Sequence, residues 1–460
     1  LKCFMFRNFL DEFRKQDTHI KIILFVILFI MIFNVFSYYH EFGYDGQDHK
    51  WYIEVLPLDL PTQNDTKEFF SPPLPYLLPS IIDSICDKLV EANLTSINCN
   101  IFYGNISQLF QLLMFLIILF CYLKILNLLS ENRNYKNLTL ILLLLIPVNY
   151  KTFVMIRGEP YVSFFFFLIL YLLFSIISED KDINRLDYVL LTLLMAGLGL
   201  SRQWGLLLLP GIFLTIFLVS KYKDKEFSKK YTRLVFSSSI FSFPLYFWFY
   251  IHLFLNYGSI TAFNREPLPF NFLNQSTSFY FDLALADIFT RPIRGFSLEN
   301  KLFPILYSET WGDYFGYFLI THAKGGLEAN YEIVPYLGRV NLFALVPTFL
   351  FIFGIFYFFV IFKKLNVNQK IVYSTFLLCV SFMWIGYMWF VIKYPNYSKG
   401  DTIKATFILQ LIQLLPFFGS IFVIHNLKNK WIFNLIYSVI IFILIYNIPA
   451  MISRYLGGYT

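Results

Sequence analysis

The chain has 460 residues, of which 57% are hydrophobic and only 15% charged, and its mean hydropathy is +0.59. A soluble domain carries about 25% charged residues, so these figures exclude a soluble globular protein. The formal charge of +7 does not mark a nucleic-acid binder: Lys and Arg fall in short clusters between apolar runs, the arrangement that encodes orientation in a membrane.

Apolar runs long enough to span occur at about 21–39, 108–129, 138–150, 160–178, 187–201, 203–220, 233–256, 340–362, 370–392, 402–425 and 431–449. The pattern predicts an all-α integral membrane protein, a polytopic bundle of about eleven transmembrane helices forming one domain over 1–460. The third and fifth runs are the shortest. The first lacks a small-residue cleavage site after it and reads as a span rather than a cleaved signal. Two polar stretches, 40–107 and 257–339, are too long for ordinary connections, and long loops tend to carry function.

Orientation follows from the basic residues. With the N-terminus inside, every inside segment is basic: Lys2, Arg7, Arg14, Lys15 and Lys21; Arg133 and Lys136; Lys181 and Arg185; the run from Lys221 to Arg233; Lys363, Lys364 and Lys370; Lys428 and Lys430. Both long polar loops then face outward, so Asp45 and Glu309 lie outside and Lys225 inside. The expected location is a bacterial inner membrane or an ER membrane, with the active site extracytoplasmic or lumenal. Cys86 and Cys99 fall in the first outer loop, where an oxidising compartment permits either a disulfide or two free thiols.

That loop opens His40-Glu41-Phe42-Gly43-Tyr44-Asp45-Gly46-Gln47-Asp48-His49. Gly43 and Gly46 permit a tight turn, and two carboxylates follow closely on a membrane-spanning helix. Three readings stand side by side. The acids serve only the turn; or one of them, its proton affinity raised near the low-dielectric interface, acts as a general base; or His40, Asp45, Asp48 and His49 hold a metal, at a spacing that fits no standard pattern. Further on, Ser71-Pro72-Pro73-Leu74-Pro75-Tyr76-Leu77-Leu78 reads as the start of a short helix lying in the interface.

With these motifs on one loop the chain resembles the membrane glycosyltransferases of the GT-C fold, in particular the protein-mannosyltransferase-like and aminoarabinose-transferase-like enzymes. The likeness rests on an acidic pair after the first span, a His four residues past the first acid, the proline-rich stretch, and the two large outer loops. It departs from the commonest pattern in having Asp45-Gly46 where many relatives have Asp-Glu, which leaves the choice between Asp45 and Asp48 open. The resemblance implies transfer of a sugar from a polyprenyl-phosphate donor to a glycan, lipid or protein acceptor on the outer face, with inversion; no cofactor and no metal ligand is assigned, and the use of a divalent metal is left open. Asp45 and Asp48 are then the catalytic candidates, and His49 a substrate-binding one.

Such chemistry needs cations where the phosphate leaves. Arg157, in Met155-Ile156-Arg157-Gly158-Glu159, Arg202, in Leu200-Ser201-Arg202-Gln203-Trp204, and Lys404 all fall at outer ends of expected helices, where the positive-inside rule disfavours them. They are candidates for donor binding, with Glu159 beside Arg157; the alternative for each cation is snorkelling to headgroups. In the second loop Glu309 and Asp313 sit among Tyr307, Trp311, Tyr314 and Tyr317. Four residues apart, they would share a helix face and bind sugar hydroxyls, unless the stretch is an interfacial aromatic belt. A multi-pass transporter, a lipid-linked oligosaccharide flippase or a polymerase is the competing class. No glycine-rich nucleotide-binding fingerprint follows a strand pattern, which favours a lipid-linked donor.

Overall fold

The computed structural model describes residues 12–41, 43–294, 298–319, 333–397, 400–426 and 429–453. Lys2, Arg7 and Lys428 of the basic segments, and positions 320–332 of the second polar stretch, lie outside the described residues. Every regular element among the described residues is a helix. In chain order they are α1 (Thr18–Ser37), α2 (Gly46–Val55), α3 (Leu74–Glu91), α4 (Cys99–Leu129), α5 (Arg133–Leu144), α6 (Val148–Thr152), α7 (Glu159–Glu179) and α8 (Arg185–Gly199). After a 3₁₀ turn over Gln203–Leu208 come α9 (Leu209–Tyr222), α10 (Lys225–Tyr257), α11 (Thr277–Phe281), α12 (Leu285–Thr290), α13 (Leu302–Trp311), α14 (Ile333–Ile361), α15 (Val367–Lys393), α16 (Leu409–Asn426) and α17 (Lys430–Met451).

Nine segments among the described residues are long and apolar enough to cross a membrane: α1, α4, α7, α9 with its preceding turn, α10, α14, α15, α16 with its preceding turn, and α17. Their outward faces carry large apolar side chains with nothing packed on them, such as Phe25 and Phe29 on α1, Phe241 and Leu255 on α10, and Phe356 and Val360 on α14. In water such faces would be an aggregation liability; in lipid they are the solvent contact. The chain is therefore a multi-pass membrane protein.

The third and fifth expected runs do not reach that length. Pro147 cannot continue a helix, so the third run divides into α5, of 12 residues, and α6, of 5. α8 has 15 residues. α5 is enclosed: from Leu138 to Ile146 no side chain is more than 1% exposed.

The two ends of the bundle differ in chemistry. At one, Asp17 before α1 meets Asn137 and Arg133 of α5, Glu12 meets Lys124 and Asn127 near the end of α4, and Lys223 after α9 meets Asp180 after α7. Most of the sequence's basic clusters lie here. At the other end, Gln108 of α4 donates to the carbonyls of Tyr38 and Val154, and Asn34 of α1 donates to the carbonyl of Met451. The two long polar stretches both gather at this second end.

Each stretch is partly helical, and the flanking spans start earlier than expected, α4 at Cys99 and α14 at Ile333. α3 is an 18-residue helix rather than a short one. It turns Leu77, Ile81, Ile85 and Leu89 outward at intervals of four while burying Tyr76, Ser80 and Asp83, the two-faced pattern of a helix lying at a membrane surface. Cys86 of α3 and Cys99 of α4 are joined as a disulfide, with Cα atoms 5.6 Å apart.

Candidate active site

The first polar stretch leaves α1 and turns sharply. Gly43, Tyr44 and Asp45 all adopt positive φ, at 69°, 43° and 65°. For the two non-glycine residues this is an unfavourable region, and runs of it cluster at functional sites. Gly46 follows because there is no room for more: a Cβ there would lie 2.5 Å from the Glu41 carbonyl oxygen. The turn holds because Tyr44 is buried and its hydroxyl donates to Glu309, which is itself 2.6 Å from the ammonium of Lys151. Lys151 also donates to the carbonyls of Glu309 and Gly312. Thus α6 and α13 grip the residue next to Asp45.

Asp45 precedes α2 but makes no side-chain cap to it. Its carboxylate instead accepts from Lys404 at 2.8 Å and is about half exposed, at 47%. The Lys404 ammonium holds this carboxyl well below the usual carboxylate range. This is a correction to the expectation of a raised proton affinity, because a neighbouring cation outweighs desolvation.

Asp45 and Lys404 open onto a pocket of about 180 Å³. Five cations line it, Arg157, Arg202, Arg265, Arg294 and Lys404, against three carboxylates, Asp45, Glu68 and Asp401. Two of the guanidinium groups are fully buried. Arg157 donates to Glu159 from Nε at 2.6 Å and Nη2 at 3.1 Å, so the two sequence neighbours do pair, and its Nη1 has no partner. Arg202 donates from Nη1 to Glu68 at 2.7 Å and to Ser71, and stacks over Trp204 with 5.0 Å to the ring centre. Glu159 lies 3.6 Å from Arg202 as well, so one carboxylate steadies both cations. Burial would raise the Glu68 carboxyl, but Arg202 keeps it below its ordinary value, and burial is likewise overcome at Arg202 by Glu68 and Glu159. Both stay ionised. The buried ions balance, Arg157 and Arg202 against Glu68 and Glu159, while Arg265, Arg294 and Lys404 against Asp45 and Asp401 leave one cation in excess; that excess and the unused N–H suit an anion.

The pocket continues on one side into an apolar groove of about 100 Å³ between the Gln203–Leu208 turn and α15, walled by Trp204, Leu207, Met383, Trp389, Phe390 and Phe407. On another side it meets a larger polar cavity, with Phe263, Asn264 and Arg265 common to both.

Asp45, Arg157, Arg202 and Lys404 are thus brought together, with Glu159 just behind. The remaining candidates stand elsewhere. Asp48 points away from the pocket: its Oδ1 accepts from the Lys67 backbone at 3.2 Å and its carbonyl from Thr66, tying α2 to the next loop. Burial pushes its carboxyl up. His49 hydrogen-bonds Tyr76 at 2.8 Å, 3.9 Å from Glu68, and burial pushes its imidazole down to about 4. Glu309 and Asp313 do not line the pocket. Glu309 is enclosed with Lys151 and Tyr44, and Asp313 accepts from the backbone of Phe318 and Leu319. They do not share a helix face either, since α13 ends at Trp311. Phe315 and Tyr317, from the same aromatic stretch, do line the pocket. His40, Asp45, Asp48 and His49 do not converge, and no group of three or more His, Cys, Asp or Glu among the described residues is placed to hold a metal ion.

Sequence reasoning missed Glu68, Arg294 and Lys151. The first sits four residues before Pro72 of the proline-rich motif, in a polar run that reads as solvated.

No protein-family model matches this chain, and no curated protein matches it significantly.

Proposed function

We propose that this protein is a membrane glycosyltransferase of the GT-C type, moving a sugar from a polyprenyl-phosphate donor to an acceptor at the end of the bundle remote from the basic clusters. On this reading α5–α6 and α8 complete a set of eleven crossings, the N-terminus is cytoplasmic, and the two polar stretches are the outer loops. One observation carries it: a half-exposed carboxylate, Asp45, faces a pocket with surplus positive charge that continues into an apolar groove. A prenyl phosphate has this combination of an anionic head and an apolar chain.

The chemistry follows from the residues. The acceptor hydroxyl attacks the anomeric carbon and Asp45 takes its proton, while the C–O bond to phosphate breaks and its electron pair leaves with the phosphate oxygen. Lys404 and the unused Nη1 of Arg157 face the charge that develops there. Before the donor arrives, Lys404 occupies Asp45 and suppresses its basicity. A phosphate that draws Lys404 off returns Asp45 to a basic state, so activation of the base is coupled to donor binding.

Comparing surface glycans by mass spectrometry in cells with and without the gene tests the reading: loss of one defined sugar supports it. An unchanged glycan profile alongside a defect in uptake or lipid-linked oligosaccharide export supports the transporter class instead.

A further inference from the structure

Between the 62–69 segment and the chain leaving α10 lies a cavity of about 890 Å³ that the chemistry above does not use. Its lining differs from both other spaces. The apolar groove is walled by aliphatic and aromatic carbon, and the charged pocket by ions. This cavity mixes four side-chain amides, Gln63, Asn64, Asn256 and Asn264, with the ions Lys67, Arg265 and Glu266 and with the rings of Tyr257, Phe263 and Tyr394. Gln63, Asn64, Asn256 and Asn264 are exposed. An amide both donates and accepts, which suits hydroxyls that do the same, and an aromatic face suits the C–H side of a pyranose ring.

Phe263 stands at the junction. It borders the apolar groove, the charged pocket and the amide-lined cavity alike. It is held there by Phe70, Phe390 and Tyr394, with ring centres 4.5, 5.1 and 5.0 Å away. One ring therefore stands between three chemically different spaces, of which the charged pocket holds Asp45.

We propose that the amide-lined cavity is the acceptor site and that the acceptor is a hydrophilic glycan, not a lipid or a peptide. This rests on the transferase reading and deepens it: the donor's lipid takes the apolar groove, its phosphate the cationic pocket, and the acceptor glycan reaches Asp45 past Phe263. A lipid acceptor would need a second continuous apolar surface, whereas here the rings are interspersed with amides and with Lys67, Arg265 and Glu266. An extended peptide would need runs of backbone partners, whereas the groups offered here are side-chain amides and ring faces.

The test uses the full chain in nanodiscs with Cys3 replaced by serine, since the remaining thiols Cys121 and Cys379 are buried and Cys86 and Cys99 are paired. Asn64→Cys is labelled with a maleimide in the presence of neutral oligosaccharides of varied linkage, a Ser/Thr-rich peptide, or a short lipid-linked saccharide; Leu273→Cys, on the second stretch and not part of this cavity, is the control. A fitting oligosaccharide slows labelling at position 64 roughly tenfold when present at about ten times its dissociation constant, because only the empty fraction reacts, and leaves position 273 unchanged. Protection at 64 by the peptide or the lipid-linked saccharide alone, or by none of the probes, overturns the proposal.

Donor turnover measured with an extract of surface glycans present separates the two claims. Release of polyprenyl phosphate without protection at 64 rejects the glycan-acceptor assignment only. Protection at 64 without any donor turnover rejects the transferase reading, on which this inference rests. Phe263→Ala adds a second measure. Joining the three spaces admits water to the anomeric carbon, so the ratio of free sugar to transferred sugar rises; an unchanged ratio contradicts the partition.

Discussion

Asp45 sits at φ 65°, a conformation that asparagine tolerates better than most residues. Among the described residues its charged hydrogen-bond partner is Lys404. The pairing makes a prediction with a definite sign. Asp45 works as a base only when ionised, and Lys404 lowers its proton affinity. In Lys404→Ala the Asp45 carboxyl returns toward the ordinary carboxylate range, so the acid limb of the pH profile of kcat/KM, which reports the free enzyme, moves to higher pH. Donor KM rises as well, because a charge that meets the phosphate in the ground state is gone. An acid limb that stays put means Asp45 is not the titrating base. Arg157, Arg202 and Lys404 were legible in the sequence because cations at the wrong end of a span break a strong rule. Glu68 was not, since a carboxylate flanked by Asp65 and Lys67 looks solvated until its burial against Arg202 is seen. Glu309 and Asp313 looked like sugar ligands for the opposite reason: acids among aromatics read alike whether they face a cavity or a packed interior.

At the level of elements, α6 and α13 hold the strained turn through Lys151 and Glu309, both essentially inaccessible. Removing one partner of a buried pair leaves the other charge uncompensated, at a cost of about 3–5 kcal/mol. Lys151→Met is therefore expected to lower thermal stability sharply in nanodiscs, and Lys151→Met with Glu309→Gln to recover part of it. Equal losses in the single and double variants contradict the pairing. The link between α3 and α4 spans 13 residues of sequence, Cys86 to Cys99. Closing a loop of that size contributes about 3 kcal/mol, so Cys86→Ser lowers the melting temperature, and peptide mapping without reductant recovers the bonded pair from the parent chain. Apolar length made the long helices legible. It did not reveal that Pro147 divides α5 from α6, nor that α5 is enclosed from Leu138 onward, because a buried helix and a lipid-facing one share the same composition.

Seen whole, the molecule has one basic end and one end where both polar stretches and all the pocket residues gather. The sidedness is open to direct labelling. With the basic end cytoplasmic, an impermeant thiol reagent applied to intact cells modifies Asn64→Cys and Leu273→Cys and spares Lys225→Cys until the membrane is permeabilised. Modification of position 225 from outside reverses the orientation. Position 309 is unsuitable for this purpose, being fully buried. The grouping of the two polar stretches at one end was readable from the alternation of apolar runs. The meeting of Asp45 with Lys404 across 359 residues of chain was not, because no local pattern encodes a contact at that separation.

The central claim, that Asp45 is the base for transfer from a prenyl-phosphate sugar, is tested most directly by one assay. The purified chain in lipid nanodiscs is given a polyprenyl-phosphate-linked sugar together with an extract of surface glycans, and the polyprenyl phosphate released is measured for the parent and for Asp45→Asn. Asparagine keeps the shape and suits the positive φ, so folding and donor binding persist while turnover falls by about 10²–10⁴. Turnover in Asp45→Asn close to that of the parent, with Asp48→Asn equally active, would contradict the account and leave the transporter class in its place.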